Sequence, residues 1–145
     1  MTIRGWKTRY REIRTAFGYK ESDDIASAKK LDSIIKKKFP SSNLKKKIFG
    51  KTVFVIGAGP SLDSTITVMK KYENVTKIVA DGAVQALIKH KIRPDILMTD
   101  LDGDIKSIKK IARTNAPIIV HAHGDNLSLI HISEPTRPRL ISYAV

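Results

Sequence analysis

The stretch KTVFVIGAGPSL (residues 51–62) joins a short apolar run to a Gly-Ala-Gly-Pro-Ser turn. The run predicts a buried strand, and Pro60 suits the first turn of a helix that we expect from Ser61 to Tyr72. The alternation continues with KIVA (77–80), a helix from Gly82 to His90, DILMTD (95–100), a helix from Ile105 to Thr114, and APIIVHAHG (116–124). Strands that are apolar on both faces and alternate with helices indicate parallel βαβ units. The sequence therefore predicts an α/β fold with a Rossmann-like parallel sheet.

The residues before this sheet carry helical patterns. Apolar side chains recur at helical spacing in two groups, first Trp6, Tyr10, Ile13 and Phe17, and then Ile25, Ala28, Leu31, Ile34 and Ile35 up to Phe39. The stretch from Pro40 to Asn43 is expected to break the second helix. Residues 1–50 are therefore predicted to form an N-terminal segment of two helices, with the aromatic stripe of the first as a packing face.

Polar clusters stand at the carboxyl end of each predicted strand. They are Gly57 to Ser61, Asp81 with Gly82, Thr99 to Asp104, and His121 to Asn126. Ligands of parallel α/β sheets bind beyond the carboxyl ends of the strands. The four clusters are therefore expected to converge on one ligand site.

The first cluster has the composition of an anion site. Gly57 and Gly59 allow close approach of the backbone, and Pro60 and Ser61 precede a helix whose free N–H groups attract phosphate. The third glycine of the dinucleotide fingerprint is replaced by Leu62, and the Gly-Lys-Ser/Thr of a P-loop is missing. A phosphate cradle is predicted, with a plain strand-to-helix turn as the alternative.

Asp81 ends the second strand, about twenty residues after the glycine turn. Dinucleotide-binding folds place the carboxylate that binds a ribose hydroxyl at such a position. Asp81 is therefore predicted to bind the nucleotide ribose, and the alternative is an N-cap for the following helix.

The third cluster places Asp100, Asp102 and Asp104 within five residues. Such a group of like charges is costly unless a cation or dipole neutralises it. A calcium EF-hand is excluded, because Ile105 and Ile111 stand where that loop needs Gly and Glu. Magnesium held by Asp100 and Asp102 against ligand phosphates is predicted, and the alternative is a surface turn in which Asp104 caps a helix.

The fourth cluster places His121 and His123 on the same side of an extended strand end. Asp125 and Asn126 follow and offer a carboxylate and an amide. A zinc site would need a third ligand, so contact with phosphate or substrate is the preferred interpretation. Two structural histidines are the alternative.

The net charge of +13 suggests a polyanionic or phosphorylated partner. Lysines cluster between residues 29 and 47 around apolar residues at helical spacing, which is typical of a solvated helix face. Phe39 is the single aromatic residue among those lysines, so the stretch has no series of stacking platforms, and this argues against nucleic acid.

Composition limits the remaining classes of function. The 145 residues include no Cys, which excludes disulfides, thiolate catalysis and Cys-ligated metals. No apolar run is long enough for a membrane span, and the charged N-terminus has no apolar segment of a signal peptide after it. A cytoplasmic protein without membrane association is expected, and a homo-oligomer is compatible with the sequence.

The chain ends in an anomalous stretch, LSLIHISEPTR (127–137), then three residues, then ISYAV (141–145). It is similar to the translated read-through of a common sequencing adapter, with the three residues in the place of a variable index. We therefore predict three parts: the helical segment 1–50, an incomplete Rossmann-like domain 51–126, and a non-native tail 127–145. The native sequence is expected to continue beyond Asn126.

Four motifs together, GAGPSL, ADGA, IRPDILMTDLDGD and VHAHGDN, resemble the archaeal 6-hydroxymethyl-7,8-dihydropterin pyrophosphokinase family, or MptE-like domain. The resemblance covers Trp6 to Asn126. It implies transfer of diphosphate from ATP to the hydroxymethyl group of a reduced pterin, with Mg²⁺ and release of AMP, in tetrahydromethanopterin or folate-type cofactor biosynthesis. The family's motif positions fall on residues Gly57, Gly59, Pro60, Ser61, Asp81, Asp100, Asp102, Asp104, His121, His123, Asp125 and Asn126.

Two other classes of function remain open. The same domain occurs in proteins resembling sugar transferases and flagellin-modification accessory factors, which suggests a nucleotide-sugar ligand. A basic, non-enzymatic binding module is the second alternative, although it would leave the acidic loop unexplained.

Overall fold

The architecture alternates helices and strands after an all-helical start. The structure is a computed structural model that describes residues 4–35, 38–123 and 140–143. Its helices are α1 (Trp6–Phe17), α2 (Glu21–Ile34), α3 (Ser41–Ile48), α4 (Leu62–Lys71), α5 (Asp81–Lys89) and α6 (Ile105–Ala112). Its strands are β1 (Val53–Ile56), β2 (Thr76–Ala80), β3 (Ile96–Thr99), β4 (Ile118–His121) and β5 (Leu140–Tyr143).

The strands form one parallel sheet in the order β1-β2-β3-β4-β5. Val79 of β2 pairs with Leu97 of β3, which pairs with Ile118 of β4. The predicted α/β fold with a parallel sheet and an N-terminal helical segment is confirmed. Strand β5 lies in the tail that we predict to be non-native, and the origin of that tail stays a prediction.

The two faces of the sheet differ in exposure. Val79 and Leu97 are fully buried on the face that belongs to the main core, together with residues of α4, α5 and α6. On the other face Val55 is 80% exposed and Met98 is 44% exposed. The sequence patterns indicated that both faces of the sheet are apolar. One of these faces is therefore buried more completely than the other.

The N-terminal segment holds three helices, so the prediction of two is wrong. Helix α2 ends at Ile34, before Phe39, because Ile35 adopts an extended conformation with ψ 102°. Pro40 then precedes α3 as its N-cap residue. A Pro-Ser-Ser-Asn stretch starts a helix as readily as it ends one, since proline needs no backbone partner in the first turn.

Helix α1 is attached by polar contacts. None of its residues is buried among the described residues, and Phe17 is 68% exposed, so the prediction of a packing face is wrong. The Tyr10 hydroxyl donates to Asp24 Oδ2 of α2 at 2.5 Å, and Arg14 pairs with Glu21. Within the helix, the rings of Trp6 and Tyr10 stack on each other, with their centroids 6.2 Å apart, which is a favourable contact for aromatic side chains.

None of the helices in the described part of the chain combines the length and the apolar composition that crossing a bilayer requires.

Candidate active site

The acidic loop is a tight turn that follows β3. Its central residue, Leu101, has a positive φ of 74° and is only 3% exposed, so its side chain enters the core. The Leu101 N–H donates to Thr99 Oγ1 at 2.9 Å. Asp100 and Asp102 flank Leu101, and the Asp102 N–H points at Asp100 Oδ1 at 3.4 Å. The turn therefore presents two carboxylates at the carboxyl edge of the sheet.

Asp81, which directly follows the neighbouring strand β2, completes a group of three carboxylates. One oxygen each from Asp81, Asp100 and Asp102 lie within 4.8 Å of one another. Since β2 and β3 are adjacent and parallel, their carboxyl ends meet at the same edge. Asp81 was predicted to bind a ribose, and the adjacency of β2 and β3 could also have indicated this cluster.

The Asp81 carboxylate is held by hydrogen bonds on both oxygens. Thr99 Oγ1 donates to Oδ2 at 2.5 Å, and the Gly82 N–H donates to Oδ1 at 2.8 Å. Asp81 is the first residue of α5, and Ala80 occupies the cap position without a side-chain bond. The alternative of an N-cap is therefore not realised, while the ribose role of Asp81 stays a prediction.

The pKa values of Asp100 and Asp102 shift in opposite directions. Partial burial of Asp100 opposes its ionisation, but hydrogen bonds with Asp102 and backbone N–H groups outweigh this and hold the pKa of Asp100 below its ordinary value. The hydrogen bond with Asp100, reinforced by the negative charge of Asp100, raises the pKa of Asp102. The two carboxylates of the turn therefore differ in acidity, because each acts on the other at short range.

The raised pKa of Asp102 predicts the effect of Asp102→Asn on stability without divalent cations. A carboxyl whose folded pKa is raised contributes stability at low pH and loses it as the pH rises through the folded pKa. Asp102→Asn is therefore expected to raise the melting temperature slightly at neutral pH, and the gain should vanish as the pH falls below the ordinary carboxyl pKa of 3.8. The effect is small because Asp102 is exposed to solvent. Melting curves in chelator between pH 3 and 8 measure it, and a variant less stable than wild type at neutral pH would contradict it.

Asp104 is the N-cap of α6. Its carboxylate accepts hydrogen bonds from the backbone N–H groups of Lys106 and Ser107 at 3.1 and 3.2 Å, and from the Ser107 hydroxyl at 2.5 Å. The hydrogen bond from the Ser107 hydroxyl lowers the pKa of Asp104; burial opposes this, and the two backbone N–H groups add to the lowering. The capping alternative considered for Asp104 is thus observed, and a direct ligand role for Asp104 remains untested.

The histidines lie side by side at the end of β4. The ring centroids of His121 and His123 are 5.3 Å apart, in agreement with an extended strand end. His123 is half-buried, and its Nε2 lies 3.8 Å from Asp100 Oδ2. The fourth cluster therefore reaches the acidic loop. Asp125 and Asn126, predicted to bind the ligand, lie outside the described residues.

The glycine turn lies between β1 and α4 and is exposed. Gly57, Gly59, Pro60 and Ser61 are all exposed, and α4 begins directly afterwards at Leu62. A Cβ on Gly57 would meet no protein atom within 4 Å, so packing does not require glycine there, and the approach of a ligand to Gly57 stays a prediction. A Cβ on Gly82, beside Asp81, would lie 3.2 Å from the Cβ of Ala58. The turn is therefore in contact with the start of α5.

Two residues with structural influence on the site were missed by the sequence analysis. Thr99 binds Asp81, and Gly103 lies so close to Asp81 that a Cβ at position 103 would be 2.9 Å from Asp81 Cγ. Both lie in the motif TDLDGD, where a hydroxyl at a strand end and a glycine among acids are visible signals. Their significance depends on Asp81, which is distant in sequence.

Known proteins similar to this chain share one description. The family model described as 6-hydroxymethylpterin diphosphokinase MptE-like matches residues 26–143. The 6-hydroxymethyl-7,8-dihydropterin pyrophosphokinase of Methanocaldococcus jannaschii is 38% identical over 136 residues, which cover 90% of this chain and 56% of the relative. Those of Pyrococcus furiosus and Methanothermobacter thermautotrophicus are 38% and 34% identical, over 84% and 97% of this chain and 53% and 61% of their own lengths.

The chain spans just over half the length of these curated relatives, between 53% and 61%. The match of the family model includes residues 127–143, within the segment that we predict to be adapter-derived. The predicted division into 1–50, 51–126 and 127–145 remains a prediction.

Proposed function

Since this chain belongs to the 6-hydroxymethylpterin diphosphokinase MptE-like family, we propose that the intact protein is a pyrophosphokinase. It transfers diphosphate from ATP to 6-hydroxymethyl-7,8-dihydropterin and releases AMP, in a route to tetrahydromethanopterin or a folate-type cofactor. ATP and the reduced pterin are its small-molecule partners. ATP is a cytoplasmic substrate, and the cytoplasm is the compartment that we propose.

The observation that carries this proposal is the group of three carboxylates at the carboxyl edge of the sheet. Mg²⁺ takes oxygen ligands, uses one or two carboxylates and completes its shell with waters and phosphates. Asp100 and Asp102 are the metal ligands that we propose, and Asp81 lies near enough to supply a third oxygen or to hold a bound water. When bound, the ion supplies positive charge against the phosphoryl oxygens of ATP.

The reaction asks for alignment more than for covalent chemistry by the protein. The hydroxymethyl oxygen of the pterin forms a bond to the β-phosphorus of ATP. The bond from that phosphorus to the oxygen bridging the α-phosphorus breaks, AMP leaves with this oxygen, and the hydroxyl proton passes to water. His121 and His123 stand beside the acidic loop, and we propose that one of them contacts phosphate or substrate.

The remaining contacts to ATP are proposed from the other clusters. The turn of Gly57, Gly59, Pro60 and Ser61 leads into the amino end of α4, where free N–H groups attract phosphate. Asp63 in the first turn of α4 partly offsets that positive end, so the backbone of the turn carries more of the interaction. The further residues in the proposed ligand-binding set are Asp81, Asp104, Asp125 and Asn126.

Five cationic side chains lie together away from the acidic loop. A cleft of about 830 Å³ at the amino ends of β3 and β4 is lined by Lys47, Lys91, Arg93, Lys110 and Arg113. The cleft lies at the opposite edge of the sheet from the acidic loop, so a polyanion bound there would leave the proposed catalytic edge free. A basic binding module is therefore a separate hypothesis that the same experiment can test.

Thermal shift measurements on the intact protein distinguish these functions. A ligand that binds only the folded state raises the melting temperature by mass action. We expect ATP with Mg²⁺ to raise it, and ATP with chelator to do so much less. A shift with RNA or with a nucleotide-sugar, together with none from ATP and Mg²⁺, would support the alternatives and contradict the pyrophosphokinase proposal.

A further inference from the structure

We propose that Thr99, Leu101 and Gly103 are positioning residues that hold Asp81 against the acidic loop before any cation binds. This inference rests on the proposed function, because it assigns a purpose to the arrangement of its metal ligands. None of the three residues needs to touch the ion. Each instead fixes one element on which the separation of the carboxylates depends.

Thr99 links the two strands through one hydroxyl. Its Oγ1 donates to Asp81 Oδ2 at 2.5 Å and accepts from the Leu101 N–H at 2.9 Å. The threonine side chain is buried, so water competes poorly for both bonds. The carboxylate at the end of β2 and the turn after β3 are therefore held by the same atom.

Leu101 fixes the shape of the turn. A positive φ is unfavourable for a branched, bulky residue, and it persists only where the surroundings determine it. Here the Leu101 side chain is 3% exposed within the main core, and its N–H is bound to Thr99. Burial of one side chain thus holds Asp100 and Asp102, its two neighbours, on an anchored turn.

The backbone at Gly103 lies directly beside the Asp81 side chain. A Cβ at position 103 would be 2.9 Å from Asp81 Cγ, 3.0 Å from its Cβ and 3.1 Å from its Oδ2. Because the Cβ of Asp81 is fixed by the backbone of α5, rotating the side chain would not remove the clash. Any side chain at position 103 therefore displaces the carboxylate or the loop, and glycine is required for close approach and not for a positive φ.

The three contacts together explain how like charges remain near one another. Three carboxylates would separate on a flexible loop, since each raises the free energy of ionising the others. Ligands held by a second shell of hydrogen bonds bind their ion more tightly, and loss of such a partner typically weakens metal affinity about 10–100-fold. We expect an effect of that size here.

Binding of Mn²⁺ to the intact protein, followed by the electron paramagnetic resonance signal of the free ion, tests this inference. Mn²⁺ prefers the same oxygen ligands as Mg²⁺. Thr99→Val removes the hydroxyl at constant volume and is expected to raise the Kd about 10-fold or more, whereas Thr99→Ser keeps the hydroxyl and should remain near wild type. Gly103→Ala is expected to raise the Kd at least as much as Thr99→Val.

Thr114→Val is the matched control. Thr114 Oγ1 accepts a hydrogen bond from the Ala116 N–H and donates one to the Ile111 carbonyl. Thr114→Val therefore also loses one accepted and one donated hydrogen bond, but at the edge of the sheet opposite the acidic loop. It should lower the melting temperature without changing the Kd for Mn²⁺. A wild-type Kd in Thr99→Val would overturn the positioning role alone. Absence of Mn²⁺ binding in the wild type would instead remove the metal assignment of the proposed function, and with it the inference.

Discussion

Asp100→Asn in the intact protein is expected to lower magnesium-dependent release of AMP about a thousandfold or more. The substitution keeps the size of the side chain but removes the charge of one proposed metal ligand. A metal ion contributes several kcal/mol to stabilising charge in such a transfer, and each ~1.4 kcal/mol is a factor of ten in rate. Asp102→Asn should have an effect of the same order, because Asp102 is the second carboxylate of the same turn.

Asp23→Asn is the control for these two variants. It removes one negative charge from an exposed position in the first turn of α2, far along the chain from the acidic loop. Its turnover should equal that of wild type, and circular dichroism should show that all three variants remain folded. Wild-type turnover in both Asp100→Asn and Asp102→Asn would remove the metal assignment.

Leu97→Ala is expected to destabilise the fold by about 2–5 kcal/mol, the usual range for removing most of a buried leucine. Leu97 is fully buried in β3, where it pairs with Val79 and Ile118 on the two neighbouring strands. The surrounding sheet is held by both neighbours and can close the resulting cavity only in part. Urea unfolding at equilibrium measures the loss.

Val55→Ala provides the comparison within the same sheet. Val55 is 80% exposed on β1, so its truncation removes little buried area and should change the free energy of unfolding by less than about 0.5 kcal/mol. Equal losses from Leu97→Ala and Val55→Ala would show that the main core does not lie on the face of the sheet described above.

The strands could be predicted because they are short apolar runs bounded by turn residues. VFVI before Gly57 and ILMT before Asp100 show this pattern, and both became strands. The helix after Pro40 could not be recognised in the same way. Lysines occupy three successive positions of α3, and its apolar residues Leu44 and Ile48 form a single i, i+4 pair, which is too short a pattern to distinguish a helix from a loop.

The convergence of polar residues at one edge was predictable from the alternation of strands and helices. Each strand of a parallel sheet delivers its carboxyl end to the same edge, so Asp81 and the acidic loop had to be neighbours once β2 and β3 were adjacent. The contacts between them were not predictable. The hydrogen bond from Thr99 to Asp81 and the close contact of Gly103 with Asp81 change with shifts of a few tenths of an ångström. The periodicity of a sequence does not determine distances to that precision.

The role of Asp104 shows the limit of reading charge alone. Three aspartates alternate in the sequence, yet Asp104 turns its carboxylate to the amino end of α6 while Asp102 joins the cluster with Asp81. The helix cap Asp104 and the proposed metal ligand Asp102 are both aspartates and are two residues apart in the sequence, so residue type and spacing do not distinguish them. Only the start of the helix at Ile105 separates them, and that boundary was among the sequence predictions.

Analysis of the products formed from ATP and 6-hydroxymethyl-7,8-dihydropterin by the intact protein tests the central claim most directly. Chromatography of the nucleotides and of the pterin gives both products in one reaction. We predict AMP and the pterin diphosphate in equal amounts, with a divalent cation required. Formation of ADP with a pterin monophosphate, or no turnover by a folded protein that binds ATP and Mg²⁺, would contradict it.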